Sequence, residues 1–548
     1  MKWQLPLLAA ASIFISACGA PSVPVAVLDS GAIPGIPVEG RAGTELQIKI
    51  PSDVDGEVIA FTIIEPHFVA PNITSPLILH SHGYAGARTR TRPTSGILGG
   101  LLDEGMGVLS LDERGNGESG GEVRILDPEF EGKDWLQVLD WAEDNLEWLR
   151  YENASDIEID KGEAGANPVM GAVGSSYGGG FQHLVYAMDE NHRLDAIAPD
   201  ITWNDLRYSL FSNRVFKTQW ATLLSGLGST PPNTQSQDVQ EGLVLGLSNN
   251  TLLPKHEELL YKDSYASHCA GENDFTAAGG LTPIDAFYSQ SAQDTLFNFN
   301  DMYRNYECTN ALGGDVRLYV KSVGHGLDNG DGSDICANIN RTDATVAWYR
   351  EKLLHIAGAA DAVPDVCMQL SGDQGDSIVT GSVQVGNNVD APFTIPATPI
   401  LTGSGGTVPT NLVIYDGAVR GANVIAGIPK ITLSLHLPLA GNPGSSPESR
   451  ADPIVFVGIG IREGAAGTVK LLHDAMTPFR KFQTDYQYDL IGVFERVTST
   501  QQLVLVLQGA FDPQYSGNSS SGSTAVELSG ELEIPLIGDV ASFESQQQ

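Results

Sequence analysis

The run Val169-Met170-Gly171-Ala172-Val173-Gly174-Ser175-Ser176-Tyr177-Gly178-Gly179-Gly180 decides the fold. Residues 169–173 are apolar and strand-like, and residues 181–188 beyond the glycines are helix-like. Between them stands G-x-S-x-G, which in strand–turn–helix context is the signature of a nucleophile elbow. The glycines have a physical purpose. A turn this sharp holds the serine in strained dihedrals, and flanking side chains would strike neighbouring backbone. The turn lifts the Ser176 hydroxyl above the sheet and aims N–H groups of the following helix at a developing oxyanion.

Strand-like and helical stretches alternate on both sides of this turn. Residues 45–50 and 58–64 flank a polar turn at 53–56 and predict a hairpin. Residues 77–80, 108–111, 196–198, 284–288 and 316–320 are further short strands. Residues 134–150 carry Trp135, Leu139, Ala142, Leu146 and Leu149 at helical spacing, and a last helix is expected near 342–355. The alternation predicts a mostly parallel α/β sheet over residues 44–356. From 357 to 548 the texture changes to period-2 alternation, as at Ile431, Leu433, Leu435 and Leu437, and predicts an all-β sandwich or jelly roll.

A serine at its free pKa needs a base. On this fold the order is Ser, then acid, then His, on loops after late strands. His325 follows the strand 316–320 between two glycines, and Asp294 follows the strand 284–288. Asp328 and Asp331 come too soon after His325 to sit on the preceding loop. The oxyanion donors expected are the Tyr177 N–H and a second group from the loop His80-Ser81-His82-Gly83-Tyr84, where Tyr84 offers either its N–H or its hydroxyl. No carboxylate accompanies His80 and His82, so both are assigned to packing under that loop. Trp203 is either a wall of the substrate pocket or a core residue.

These motifs together resemble the X-prolyl dipeptidyl peptidase/cocaine esterase family of α/β-hydrolases. The stretches are HGY at 82–84, DERGNGES at 112–119, GSSYGGG at 174–180, DAIAPDITWNDL at 195–206, QDTLF at 293–297 and GHG at 324–326. The resemblance implies an α/β-hydrolase domain with a helical cap, here at about 207–280, and a C-terminal jelly roll. It implies Ser176 as nucleophile, His325 as base, Asp294 as orienting acid, and Tyr84 with Tyr177 at the oxyanion hole, with no cofactor or metal. The D-x-R-G-x-G-x-S stretch would brace the active-site loops. X-Pro cleavage from an N-terminus needs an acidic anchor for the substrate amine. Glu241, Glu257, Glu258, Asp263 and Glu272 in the cap are each either that anchor or a solvated carboxylate. The polar cluster at 226–237 suggests a mobile lid.

The first residues form an address rather than a domain. Lys2 precedes thirteen nearly unbroken apolar residues, too few to span a bilayer as a helix but suited to a signal segment. The ending Ile15-Ser16-Ala17-Cys18-Gly19 resembles a bacterial lipoprotein signal. That resemblance implies cleavage of residues 1–17, a lipid on Cys18 and a tether over 18–43, with the outer membrane as destination. The four remaining cysteines are then in an oxidising compartment, and sequence order pairs Cys269 with Cys308 and Cys336 with Cys367.

The chain has 548 residues, with 31 Lys and Arg against 67 Asp and Glu, a formal charge of −36. This excludes a basic footprint for nucleic acid or adhesion to anionic lipid by charge. The loop Asp328-Asn329-Gly330-Asp331-Gly332-Ser333-Asp334 is carboxylate-rich, but it lacks the spacing and terminal Glu of a calcium loop. The function expected is an exported serine hydrolase cleaving esters or amides, either X-Pro dipeptidyl-peptidase-like or an acyl esterase. The partner is a small ester or peptide. The alternative is a non-catalytic surface lipoprotein that uses the same fold for binding.

Overall fold

A computed structural model describes residues 40–231, 233–326, 334–371, 376–386, 392–403, 406–437, 452–480, 484–515 and 524–538. The signal, Cys18, the tether up to residue 39 and the acidic loop at 328–333 lie outside the described residues. No helix among the described residues is long and apolar enough to cross a membrane.

Ten strands form the central sheet. In chain order they are β1 (Glu45–Pro51), β2 (Val58–Ile64), β3 (Leu77–Ser81), β4 (Gly107–Asp112), β5 (Met170–Ser175), β6 (Leu194–Asp200), β7 (Asp285–Ser291), β8 (Val316–Lys321), β9 (Val366–Gln369) and β10 (Ser377–Thr380). Their spatial order is β10-β9-β8-β7-β6-β5-β3-β4-β2-β1. β3 to β9 run parallel, and the outer strands β1, β2 and β10 join antiparallel to their inner neighbours. Strands β4 to β8 are buried nearly throughout, as a parallel sheet covered on both faces requires.

Three boundaries differ from the sequence reading. The sheet does not end at residue 356, because β9 pairs in parallel with β8 and carries β10 with it. The body also begins before residue 44, since Arg41–Ala42 pairs with Phe68–Val69. The helix expected over 134–150 spans Lys133–Asn145. Leu146 turns extended (φ −96°, ψ 96°), so Trp148 and Leu149 bury from the loop that leads to Tyr151–Glu152.

The α-helices Leu206–Leu210, Thr218–Gly228, Gln237–Asn249, Pro254–Lys262 and Tyr265–Cys269 lie in the connection between β6 and β7. The polar stretch in it is not loose throughout. Val123 N–H donates to the Thr234 carbonyl and Ser236 N–H to the Val123 carbonyl, while Thr234 N–H donates to the Gly115 carbonyl, so 234–236 is fastened to the DERGNGES loop. Disulfides join Cys269 to Cys308 and Cys336 to Cys367. The first ties the end of the cap to helix Phe299–Leu312, and the second ties β9 to the strand Ile335–Cys336.

The C-terminal strands form two facing sheets and a third. Ile431, Leu433, Leu435, Val526, Leu528 and Leu532 from one sheet meet Val457, Ile459, Leu503, Leu505 and Leu507 from the other. This sandwich is built onto the hydrolase part. Phe494 stands edge-on to Phe299 with centroids 4.7 Å apart, and Phe456 shares a core with Val215 at the foot of the cap.

Candidate active site

Ser176 is the turn between β5 and helix Tyr177–Met188, with φ +59° and ψ −117°. A side chain rarely occupies that region, and the surrounding backbone holds it there. Ser176 N–H donates to the Asp200 carbonyl at 2.9 Å, while Gly179 and Gly180 N–H groups donate to the Ser176 carbonyl. The glycines are set by contact distance. A Cβ on Gly174 would lie 2.3 Å from the Gly178 carbonyl oxygen, and one on Gly178 would lie 2.3 Å from that of Ser81. β3 and the elbow are therefore pressed together backbone to backbone.

The three residues expected to act together do meet. Ser176 Oγ lies 3.0 Å from His325 Nε2, and His325 Nδ1 lies 2.6 Å from Asp294 Oδ2. Asp294 is buried, and its Oδ1 accepts the N–H groups of Leu296 (2.8 Å) and Phe297 (2.9 Å). With Oδ1 so occupied, Oδ2 is presented to the imidazole. The rings of Phe297 and Trp220 stand edge-on to His325, 5.3 and 5.6 Å away between centroids, and fix its plane.

Residues that sequence reading passed over hold this acid loop in place. Gln290 Nε2 donates to the Phe297 carbonyl at 2.7 Å. Trp220 Nε1 donates to Thr295 Oγ1, and the buried Lys217 ammonium donates to the carbonyls of Thr295 and Leu296, all at 2.9 Å. Burial lowers the Lys217 pKa, and the nearby Asp301 and Asp294 carboxylates oppose that. Behind the elbow, Asp200 accepts from Ser175 Oγ (2.8 Å), Ser289 Oγ (2.6 Å) and Lys321 Nζ (2.7 Å), with Arg341 3.2 Å away. Burial pushes the Asp200 carboxyl up, but Arg341 and Lys321 more than reverse this and hold it below the usual range. An aspartate within DAIAPDITWNDL gave no sign of such partners, because Lys321 and Arg341 lie more than a hundred residues away in sequence.

On the oxyanion side, Tyr177 is the first residue of its helix, where backbone N–H groups have no intrahelical partner. Its own ring is buried, and its hydroxyl accepts the Leu126 N–H at 3.0 Å. Tyr84 stands edge-on to it at 5.5 Å, and the Tyr84 hydroxyl accepts from Gln235 Nε2 at 2.5 Å. Burial pushes the Tyr84 phenol up, so it keeps its proton. His82 donates Nδ1–H to the Gly83 carbonyl and accepts the Glu113 N–H at Nε2, while His80 Nδ1 lies 2.8 Å from Ser110 Oγ. Burial lowers both imidazoles, His80 to about 4, so the pair packs the loop as neutral rings.

Two cavities share Ser176. One runs under the cap and is walled by Trp203, Leu206, Phe216, Leu243, Leu252 and Leu296. Trp203 is thus both a pocket wall and a core residue: it is 3% exposed and packs against Tyr177 and Phe297. The other cavity contains Ser176 and His325 together, with Trp220, Leu223, Leu227 and Arg341 around it. A carbonyl at Ser176 would thus have an apolar chamber on one side and the His325 imidazole on the other.

The five cap carboxylates singled out in the sequence are paired, buried or away from the first cavity. Glu241 pairs with Lys255, Glu257 with Arg214, and Glu272 accepts the Tyr261 hydroxyl. Glu258 lies away from the cavity lining. Asp263 is buried with neither carboxyl oxygen hydrogen-bonded, and burial raises its pKa well above the usual carboxyl value, so it is neutral. Asp238 lines the cavity and shares the one Lys255 ammonium with Glu241, so this cluster keeps a net negative charge at the edge of the chamber.

The chain resembles solved structures over nearly its whole length. A CocE/NonD family hydrolase from Staphylococcus aureus superposes with a TM-score of 0.58 at 14% identity, covering 91% of this chain and 97% of that one. An aminopeptidase from a marine sediment Thaumarchaeota archaeon gives 0.58 at 12% identity, covering 90% and 97%. At such identities the likeness is one of fold. A curated relative, an uncharacterized 31.7 kDa protein in the traX-finO intergenic region of Escherichia coli, is 30% identical over 158 residues, 29% of this chain. The chain spans about half the length of that relative, 47%. Residues 55–326, from the first hairpin through His325, match the family described as X-Pro dipeptidyl-peptidase (S15 family), and through this α/β-hydrolase region the chain belongs to that family.

Proposed function

We propose that this protein is a serine hydrolase that cleaves carboxylic esters or amides through an acyl-enzyme. The observation that carries the reading is the hydrogen-bonded chain Ser176–His325–Asp294 on a strained elbow. His325 Nε2 takes the proton of Ser176 Oγ as that oxygen adds to the substrate carbonyl. Asp294 holds Nδ1–H and stabilises the imidazolium. The Tyr177 N–H and the Tyr84 hydroxyl receive the oxyanion. The imidazolium then protonates the leaving oxygen or nitrogen. Water, deprotonated by His325, adds to the acyl-enzyme and releases the acid.

The chamber under the cap favours an apolar acyl group carried as an ester. Each cap carboxylate considered as an amine anchor is paired, neutral or away from the chamber, whereas an X-Pro dipeptide would bring a charged amine into it. The family match supports the peptidase reading, and the two separate in one assay. Short-chain p-nitrophenyl esters and an X-Pro p-nitroanilide are offered to protein beginning after Cys18, with Ser176→Ala alongside. Ester turnover far above anilide turnover, both lost in Ser176→Ala, is the expected result. Efficient anilide turnover that needs a free amine would overturn the ester preference, and turnover surviving Ser176→Ala would overturn the site.

We infer further that the protein is exported and held by a lipid on Cys18. The apolar run before Cys18 and the two disulfides support an oxidising, envelope location. Metabolic labelling with a fatty-acid analogue should mark the wild type and not Cys18→Ser.

A further inference from the structure

Burial, a hydrogen bond and a close helix contact converge on one amide of the cap. Gln235 is 2% exposed, and it sits on the 234–236 segment fastened to Gly115 and Val123. Its Nε2 donates to the Tyr84 hydroxyl at 2.5 Å. The end of helix Thr218–Gly228 closes over this bond: a Cβ on Gly228 would lie 2.4 Å from Gln235 Nε2 and 2.5 Å from the Tyr84 hydroxyl oxygen. Gly228 is the last residue of an ordinary helix, so it is this contact that demands glycine there. Gln235 and Tyr84 both line the cavity that holds Ser176.

A phenol hydroxyl carries one proton and accepts through its lone pairs. When it accepts from a neighbouring N–H, its own O–H is left to point elsewhere. Tyr84 and Ser176 line one cavity, into which that O–H can turn. We propose that Gln235 is a positioning residue that keeps the Tyr84 O–H turned toward the reacting carbonyl, coupling placement of the cap to completion of the oxyanion hole. This rests on the function proposed above, with Tyr84 as the second oxyanion donor.

The test is Gln235→Glu, which keeps the shape and reverses the hydrogen bond. The ionised carboxylate accepts from Tyr84, so the phenol proton turns away from the substrate. Losing one oxyanion donor costs about 10²–10³ in kcat. At neutral pH, Gln235→Glu and Tyr84→Phe are each expected to lower kcat on p-nitrophenyl butyrate by about that factor, with KM within about twofold. The double variant Tyr84→Phe/Gln235→Glu should be no slower than the slower single. Acidification that protonates the introduced carboxylate should narrow the gap to wild type measured at the same pH, which a merely structural role would not do. Gly228→Ala, which pushes the two side chains apart without changing either residue, is expected to show the same loss in kcat. Multiplying losses in the double variant, or a Gln235→Glu enzyme that differs only in KM, would overturn the assignment. Activity persisting in Ser176→Ala would instead overturn the underlying function, so the two failures are distinguishable.

Discussion

Ser176 keeps a left-handed φ of +59° only because its neighbours leave it no other course. Such a residue costs about 1–3 kcal/mol that the surrounding structure must offset. The offset is visible at Gly178, whose missing side chain lets the elbow touch the Ser81 carbonyl. Gly178→Ala places a methyl 2.3 Å from that oxygen and should separate β3 from the elbow. The expected outcome is a loss of about 10² in ester turnover, the cost of a small misplacement of reacting groups, together with a lower Tm by calorimetry. Asp294→Asn keeps the shape of the acid but can present its amide to His325, stabilising the wrong tautomer. It should cut kcat by about 10³–10⁴ with the fold intact by circular dichroism. Unchanged turnover would remove Asp294 from the mechanism. The meeting of Ser176, Asp294 and His325 was legible in the sequence because each follows a strand and is flanked by glycines or a recognisable motif. Gln235, Lys217 and Asp200 were not, since each acts through contacts made across the fold.

At the scale of elements, the segment Pro128–Gly132 and helix Lys133–Asn145 bury the carboxyls of Glu131 and Asp134. Glu131 is buried, with Oε1 accepting the Arg124 N–H and Oε2 without a side-chain partner. Burial pushes its pKa up to about 8. The folded state therefore holds this proton more tightly than the unfolded chain does. Its stabilising effect is complete below about pH 4.5, the ordinary glutamate range, and is lost as pH rises to about 8. Glu131→Gln keeps the accepting oxygen and removes the titration. It should gain on wild type by on the order of a few kcal/mol between pH 4.5 and 8 in urea melts. Parallel melting curves at both pH values would contradict this. The Cys269–Cys308 bridge closes a loop with a sequence separation of 39 residues. Replacing both cysteines by serine should cost about 3–4 kcal/mol in the same assay. Sequence order was enough to pair these cysteines. It was not enough to end the helix at 145, because Leu146 and Leu149 keep apolar spacing while burying from a loop.

Over the whole molecule, the hydrolase part and the sandwich share apolar surface rather than a linker. β9 and β10 belong to the hydrolase sheet, and their shortness hid them behind the apparent boundary at 356. Val424, Ala426, Ile428 and Phe494 of the sandwich pack into the same core as Phe299 and Met302. A chain ending after Thr380 would leave that surface in water and should be recovered as aggregate, while the longer protein stays monodisperse in size-exclusion chromatography. A soluble, active truncated chain would show the sandwich to be dispensable for folding. The architecture was legible in the alternation of strands and helices. The sharing of a core across residue 380 was not visible, because period-2 patterning marks which residues are buried and not what they bury against.

The most direct test of the central claim needs no knowledge of the substrate. A serine-directed fluorophosphonate reacts with a hydroxyl made nucleophilic by its base, and peptide mapping then locates the adduct. One adduct per chain on the peptide bearing Ser176, absent in Ser176→Ala and strongly slowed in His325→Ala, is the result expected. No adduct on folded protein, or an adduct at another serine, would contradict the account.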